Sequence, residues 1–340
     1  MFDLLAAVAL ACPATIEHRW HDDFDVALAE ARESGRDLLV DFTGSDWCHW
    51  CIRLDEEVFQ HDAFFDAASE EFVLVALDYP NGAAARAAVP NPKRNAELRD
   101  KYGVLGYPTV LMVDVDGAVF GRMGYQEGGP QAYVSTLRSL ARSGRKMLAR
   151  AKQLAGQYES STDDQHVAIM ESAVAFLQDS LASPNRIGWE LVAPIARAAV
   201  ELKGEDQQDL VSRAVSVLLE GAPDQELLNK VYRMDATNSQ GLYERALRAE
   251  LLLVQQEPAA RALQVRLLEF SETMEPVDSK LVAELYGFVA IWNEKNFADH
   301  GMAVRFAKRA LNLDPMINAD IKAVLHKIVG PELQQPVPGK

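Results

Sequence analysis

The chain is 340 residues long, which favours two domains over one. Its hydrophobic content of 49% supports packed cores, and 25% charged residues is ordinary for a water-soluble fold. A net charge of −16 argues against nucleic acid phosphates and anionic membrane surfaces as partners. No stretch approaches the roughly 20 apolar residues of a membrane span.

At the N-terminus, Leu4 to Ala11 reads LLAAVALA, the length of a signal-peptide core, and Ala9-Leu10-Ala11 has the form of an A-x-A cleavage site. No Lys or Arg precedes the run, and Asp3 stands where a positive charge belongs. The alternative is a short buried helix. Because the run ends at small residues and Pro13, residues 1–17 are expected to be a signal peptide, and the protein periplasmic or otherwise exported, with a cytoplasmic location as the alternative. Cys12 could instead carry a lipid, although Ala9 stands where a lipobox prefers Leu.

The elements follow in order. Asp23 to Arg32 has Phe24, Leu28 and Ala31 on one helical face, and Gly35 ends the helix. Asp37 to Thr43 (DLLVDFT) and Phe72 to Leu77 (FVLVAL) read as buried strands. Between them, Cys48 to Gln60 reads as a helix. Pro80 to Pro92 reads as a loop, and Arg94 to Tyr102 as a short helix closed by Gly103. Thr109 to Val113 and Ala118 to Met123 form a hairpin around Asp116-Gly117. Gln131 to Ala141 is a closing helix, with Tyr133, Leu137 and Leu140 in phase. A buried strand that leads directly into a helix bearing a reactive group suits an open α/β sheet, whose ligands meet the carboxyl ends of its strands.

Beyond about residue 145 the pattern is helical throughout. Arg145 to Gln157 is a basic helix, and Gly156 to Asp164 is polar. Tyr232-Arg-Met-Asp235 and Leu311-Asn-Leu-Asp314-Pro315 each precede a new helix and lie 79 residues apart by subtraction, near twice the helical-hairpin repeat of about 34–47 residues. Ala303, Ala310 and Pro315 have the spacing of the second helix of a tetratricopeptide repeat, and this resemblance covers that hairpin alone. Gly287 and Ile291 fall where that family favours Trp and Gly. The expectation is an irregular helical-repeat region; a plain helical bundle is the alternative.

The chemistry concentrates at Trp47-Cys48-His49-Trp50-Cys51. Disulfide exchange needs an attacking thiolate and a second thiol able to resolve the mixed disulfide. Positions i and i+3 share a helical face, so the two sulfurs can meet. Cys48, at the helix N-terminus, would have its thiolate favoured by unpaired N–H groups and the helix dipole; Cys51, one turn in, would stay protonated until needed. A zinc site would need four ligands, and neither a second CxxC nor an HxxxH is present; His49 and His61 are poorly placed. Haem attachment would need His where Ile52 stands. No metal and no cofactor is expected.

Val40-Asp41-Phe42 before Trp47-Cys48-x-x-Cys51, and Tyr102-Gly103-Val104-x-Gly106-Tyr107-Pro108-Thr109 after it, resemble the thioredoxin superfamily. The G-S-x-W-C-x-W-C core is similar to exported bacterial thioredoxin-like domains and to the thiol-reducing end domain of the DsbD type. The match covers about residues 18–143. It implies a thioredoxin fold, a central mixed sheet flanked by helices, followed here by an all-α helical-repeat region.

The resemblance also implies roles. Pro108 would be cis beside the disulfide, and Tyr107 would offer backbone groups to a substrate chain; the alternative is a trans proline that starts a strand. Asp41 matches the buried carboxylate that takes the resolving thiol's proton. Here the stretch from Asp41 to Cys48 is one residue longer than in thioredoxin, and Phe72 to Leu77 carries no Lys to pair with Asp41. The alternative is a strand-end Asp bonded to the loop at Gly44 and Ser45. His49 and Trp50, between the cysteines, would tune redox poise, unless His49 points idly to solvent. Trp47 and Trp50 would form an apolar rim for a partner, although Trp47 could equally pack on the domain.

Together these give a thioredoxin-like domain at residues 18–145, a linker helix at 146–160 and a helical-repeat domain at 161–335. The expected function is thiol–disulfide oxidoreduction on protein thiols and disulfides, regenerated by a redox partner protein, with the helices docking partners. The alternative is a helical adaptor with a regulatory redox domain.

Overall fold

The computed structural model describes residues 20–183 and 185–330. The candidate signal peptide, with Cys12, lies outside the described residues. Two compact units divide the chain, one from residues 20–153 and 185–189, the other from 154–183 and 190–330.

The first unit opens with α1 (Phe24–Ser34). The Asp23 carboxylate caps it, accepting from the N–H groups of Asp25 and Val26 at 2.9 and 3.1 Å, and Gly35 closes it at φ +68°. A four-stranded mixed sheet follows, in spatial order β2-β1-β3-β4. Strand β1 (Asp37–Thr43) runs parallel to β2 (Phe72–Asp78) and antiparallel to β3 (Thr109–Val113), which pairs antiparallel with β4 (Val119–Met123). Alternation sorts β1. Leu38, Val40 and Phe42 pack on one face with Phe24, Ala27 and Ala31 of α1 and with Leu98 and Tyr102. Leu39 and Asp41 point to the opposite face.

Three short helices differ from expectation. The stretch after Cys48 is α2 (His49–Leu54) continued by a π-helical turn, Asp55–Phe59, after which His61 is extended and α3 (Asp62–Ala68) begins. The supposed loop at 80–92 holds α4 (Ala83–Ala88), and α5 (Pro92–Lys101) follows, starting on a proline that needs no N–H donor in a first turn.

The two helices expected at 131–141 and 145–157 are one, α6 (Gly129–Ser160). Gly144 does not break it because the sheet presses there: a β-carbon at Gly144 would collide with the Phe120 carbonyl of β4. The next residue, Arg145, clamps helix to sheet, donating to Asp37 at 2.7 Å and Glu71 at 2.8 Å while its guanidinium lies over the Phe72 and Phe120 rings. Gly144→Ala is therefore expected to cost about 1–3 kcal/mol, since the obstacle is backbone rather than a flexible side chain. The shift in denaturant midpoint measures this, and a loss under about 0.5 kcal/mol, the usual range for surface changes, would contradict the contact.

The second unit is built from helices. They run α7 (Asp163–Leu181), α8 (Trp189–Ala199), α9 (Gln208–Gly221), α10 (Gln225–Met234), α11 (Leu242–Leu253), α12 (Glu257–Thr273), α13 (Ser279–Trp292), α14 (His300–Leu313) and α15 (Ala319–Val329). One core, including Leu247, Leu267, Phe270, Tyr286, Phe306 and Leu325, joins α11 through α15. The two similar sequence segments are both helix ends. Asp235 ends α10 and accepts from the Leu242 N–H at 2.8 Å; Asp314 ends α14 and accepts from the Met316 N–H at 2.9 Å. Buried Glu244 ties the turn after α12 in place, accepting from Val277 and Asp278 N–H groups at 2.9 and 2.7 Å.

Candidate active site

Cys48 and Cys51 are joined in a disulfide at the carboxyl end of β1. Cys48 is the N-cap of α2, and its sulfur accepts from the Cys51 N–H at 3.2 Å. The helix continues through the π turn to Phe59, so its dipole is larger than that of six residues alone. Cys48 and Cys51 are 6% and 3% exposed, so the disulfide meets solvent at its edge.

The loop from β1 to Cys48 is held from below. Asp78, at the end of β2, accepts from both the N–H and the hydroxyl of Ser45, at 2.9 and 2.6 Å, and Asp46 accepts from the N–H groups of Asn81 and Gly82. The residue bonded to Ser45 is thus Asp78 and not Asp41. Gly44 is required at its position, since a β-carbon there would lie 2.6 Å from the Trp47 ring.

Trp47 is both anchored and displayed. Its indole N–H donates to the Tyr79 carbonyl at 2.8 Å and its ring meets Tyr107 edge-on at 5.7 Å, yet 46% of the residue is exposed. His49 is exposed and lies edge-on to Trp50 at 5.4 Å. Trp50 is 48% exposed, and Leu105, in the loop before Tyr107, is 99% exposed. The Tyr107–Pro108 peptide is cis.

On β1, Asp41 is 5% exposed and its Oδ1 has no hydrogen-bond partner among the described residues. Burial pushes its carboxyl up to about 8, with the charges of Asp55 and Asp78 adding to the effect. Its neighbours across the sheet are Ala76 and Val110, neither able to pair with it. The phenol of Tyr133 on α6 is likewise buried without a partner among the described residues, and burial, then the Asp41 charge, hold its hydroxyl protonated.

A set of residues without a sequence signal completes the site. Tyr125 donates to Glu57 Oε2 at 2.6 Å, and Arg53 donates to Glu57 Oε1 at 2.9 and 2.7 Å. The Arg53 guanidinium lies over both Trp50 and Tyr125, whose rings are 5.1 Å apart. Trp50, Tyr107, Pro108, Tyr125, Gln126 and Glu127 line a groove of about 460 Å³ beside the disulfide.

Comparison with known proteins accords with this geometry. A family model described as thioredoxin-like matches residues 19–115. The disulfide bond reductase DsbH of Chlamydia pneumoniae is 32% identical over 120 residues, which are 35% of this chain and 70% of that protein. This chain belongs to the thioredoxin-like family. Its dithiol chemistry is that of a thiol–disulfide oxidoreductase. The thioredoxin-related protein DsbJ of the same organism is 28% identical over 128 residues, 36% of each chain, so this chain spans only about a third of that relative. A solved structure titled DsbH oxidoreductase is 30% identical, covers 36% of this chain and 84% of its own, and superposes with a TM-score of 0.32. Among the described residues no helix is long and apolar enough to cross a membrane.

Proposed function

We propose that the protein reduces disulfides in polypeptide substrates. The observation that carries this reading is the Cys48–Cys51 pair at a helix start, following the strand that bears buried Asp41, with Trp50 between the cysteines lining an open groove. The Cys48 thiolate attacks a substrate disulfide and expels one substrate thiolate, leaving a mixed disulfide. Cys51 passes its proton to the Asp41 carboxylate and attacks Cys48 Sγ. The second substrate thiolate leaves, and the Cys48–Cys51 disulfide remains. Two electrons have moved from the dithiol to the substrate, so a redox partner protein must return them.

Trp47, Tyr107 and Pro108 form the substrate face, while His49 and Trp50 set the poise of the couple. The reductive direction is supported by the name of the DsbH relative. Residues 18–145 carry the redox chemistry, 146–160 link, and the repeat-like helices of 161–335 dock partner polypeptides. The apolar run at Leu4–Ala11 supports an exported location.

The deciding measurement is the reduction potential of the Cys48–Cys51 couple together with turnover of a disulfide substrate by the reduced protein. A reductase should lie at about −200 mV or lower and turn substrate over; a potential near that of a strong oxidant, about −120 mV, would reverse the direction.

A further inference from the structure

The groove beside the disulfide has one wall built more rigidly than an apolar rim requires. Tyr125 stands on the segment after β4 and is fixed at both ends. Its hydroxyl is bonded to Glu57, and its ring lies against Trp50 and under Arg53. Arg53 spends both of its donated bonds on Glu57. The hydrogen bond from Tyr125 first, then that from Arg53, holds the Glu57 carboxyl below its ordinary range, so it stays charged. Arg53 and Glu57 therefore cancel. The remaining charge on the groove is Glu127, which is exposed and lines it without an ion pair among the described residues. Its net charge is thus one negative, on an aromatic floor.

An extended substrate chain directs residues two apart to the same side. A substrate with its cysteine at Cys48 and its chain running over Trp50 would set the side chain two positions away on the groove that Trp50 lines. A lysine or arginine suits that surface. Its alkyl stem can lie on Trp50 and Tyr125, and its head can reach a carboxylate. An acidic side chain there meets the Glu127 carboxylate.

We propose that Tyr125 and Glu127 make this groove a specificity site for substrates carrying a basic residue two positions from the reactive cysteine. This rests on the reading of Cys48 as the attacking sulfur, and its test separates the two. Full-length reduced protein would be given disulfide-linked peptides that differ only in Lys, Ala or Glu at that position, placed on either side of the cysteine. The Lys peptide should exceed the Glu peptide in kcat/KM by about fivefold at low salt on the better side, the advantage shrinking as salt rises. Glu127→Gln should bring the ratio close to one. Glu33→Gln, an equal charge change on exposed α1, should leave the ratio in place. Tyr125→Ala should lower the Lys peptide more than the Ala peptide. Turnover with no charge preference, a ratio indifferent to Glu127→Gln, or one equally sensitive to Glu33→Gln overturns the specificity site alone. Absence of turnover for every peptide, or turnover that survives Cys48→Ser, overturns the underlying reading.

Discussion

Full-length protein with Cys51→Ser is expected to accumulate mixed disulfides with substrate polypeptides, and protein with Cys48→Ser to accumulate none. The asymmetry follows from position. Cys48 caps α2 at the point where backbone donors are unpaired, and its sulfur already accepts the Cys51 N–H. Cys51 lies one turn further in along α2, and its natural target is the sulfur of Cys48. Removing Cys51 leaves the first attack in place and prevents release. Removing Cys48 leaves a buried thiol without the helix-start advantage. Either substitution should lower dithiol turnover by roughly 10³ or more, because each step needs its own sulfur. Non-reducing gels of the two variants decide the order of attack; equal trapping by both would refute it. The trapped set also tests the helical region. If those helices dock partners, deleting residues 150–340 from the Cys51→Ser protein should thin the trapped set. An unchanged set would make the second unit an appendage.

Some of this architecture was legible from residue order, for identifiable reasons. Strands β1 and β3 have both faces covered, so each reads as an apolar run, broken in β1 by Asp41. Helix α1 carries its cap at each end, Asp23 and Gly35. The cysteine pair is legible because its chemistry is local, three residues on one helical face.

What was hidden is what depends on distant neighbours. The helix α4 lies in PNGAAARAAVPNP, where prolines, glycine and asparagines at both ends dominate a six-residue stretch of good helix formers. The π turn after Leu54 has no composition of its own, since an i to i+5 bond is available to any residue. The continuity of α6 across Gly144 is set by the closeness of Phe120, 24 positions earlier by subtraction. The same holds for the site. Tyr125 meets Glu57 across a sequence separation of 68 residues, and neither belongs to a motif. Asp41 was identifiable by resemblance, but that Asp78 rather than Asp41 holds Ser45 depends on the β1–β2 register, which brings Thr43 opposite Asp78.

That division of labour between two aspartates leads to a prediction with a definite sign. Asp78 is bonded through both carboxylate oxygens, whereas Asp41 Oδ1 has no partner among the described residues, so burial dominates at Asp41 and its carboxyl is pushed up to about 8. In the unfolded chain the same group titrates near 3.8. Between those values the folded state holds a proton that the unfolded state has lost. Its stabilising contribution is complete below the unfolded pKa and is lost as pH rises toward the folded value, at up to about 1.4 kcal/mol per pH unit. Asp41→Asn keeps the shape and never ionises, so it should be more stable than the wild type at pH 8, with the gap closing as pH falls toward 4. Catalysis should move the opposite way. Only ionised Asp41 can accept the Cys51 proton, so release of the mixed disulfide by the wild type should accelerate as pH rises through about 8, while the Asn variant should be slower there by about tenfold or more. The first attack by Cys48 should hardly change. Denaturation midpoints across pH 5–9 and single-turnover release rates over the same range read the two effects. Parallel stability curves would mean the buried carboxyl is not protonated in the folded state, and an unchanged release rate would leave Asp41 a strand residue that pays a burial cost for no chemical return.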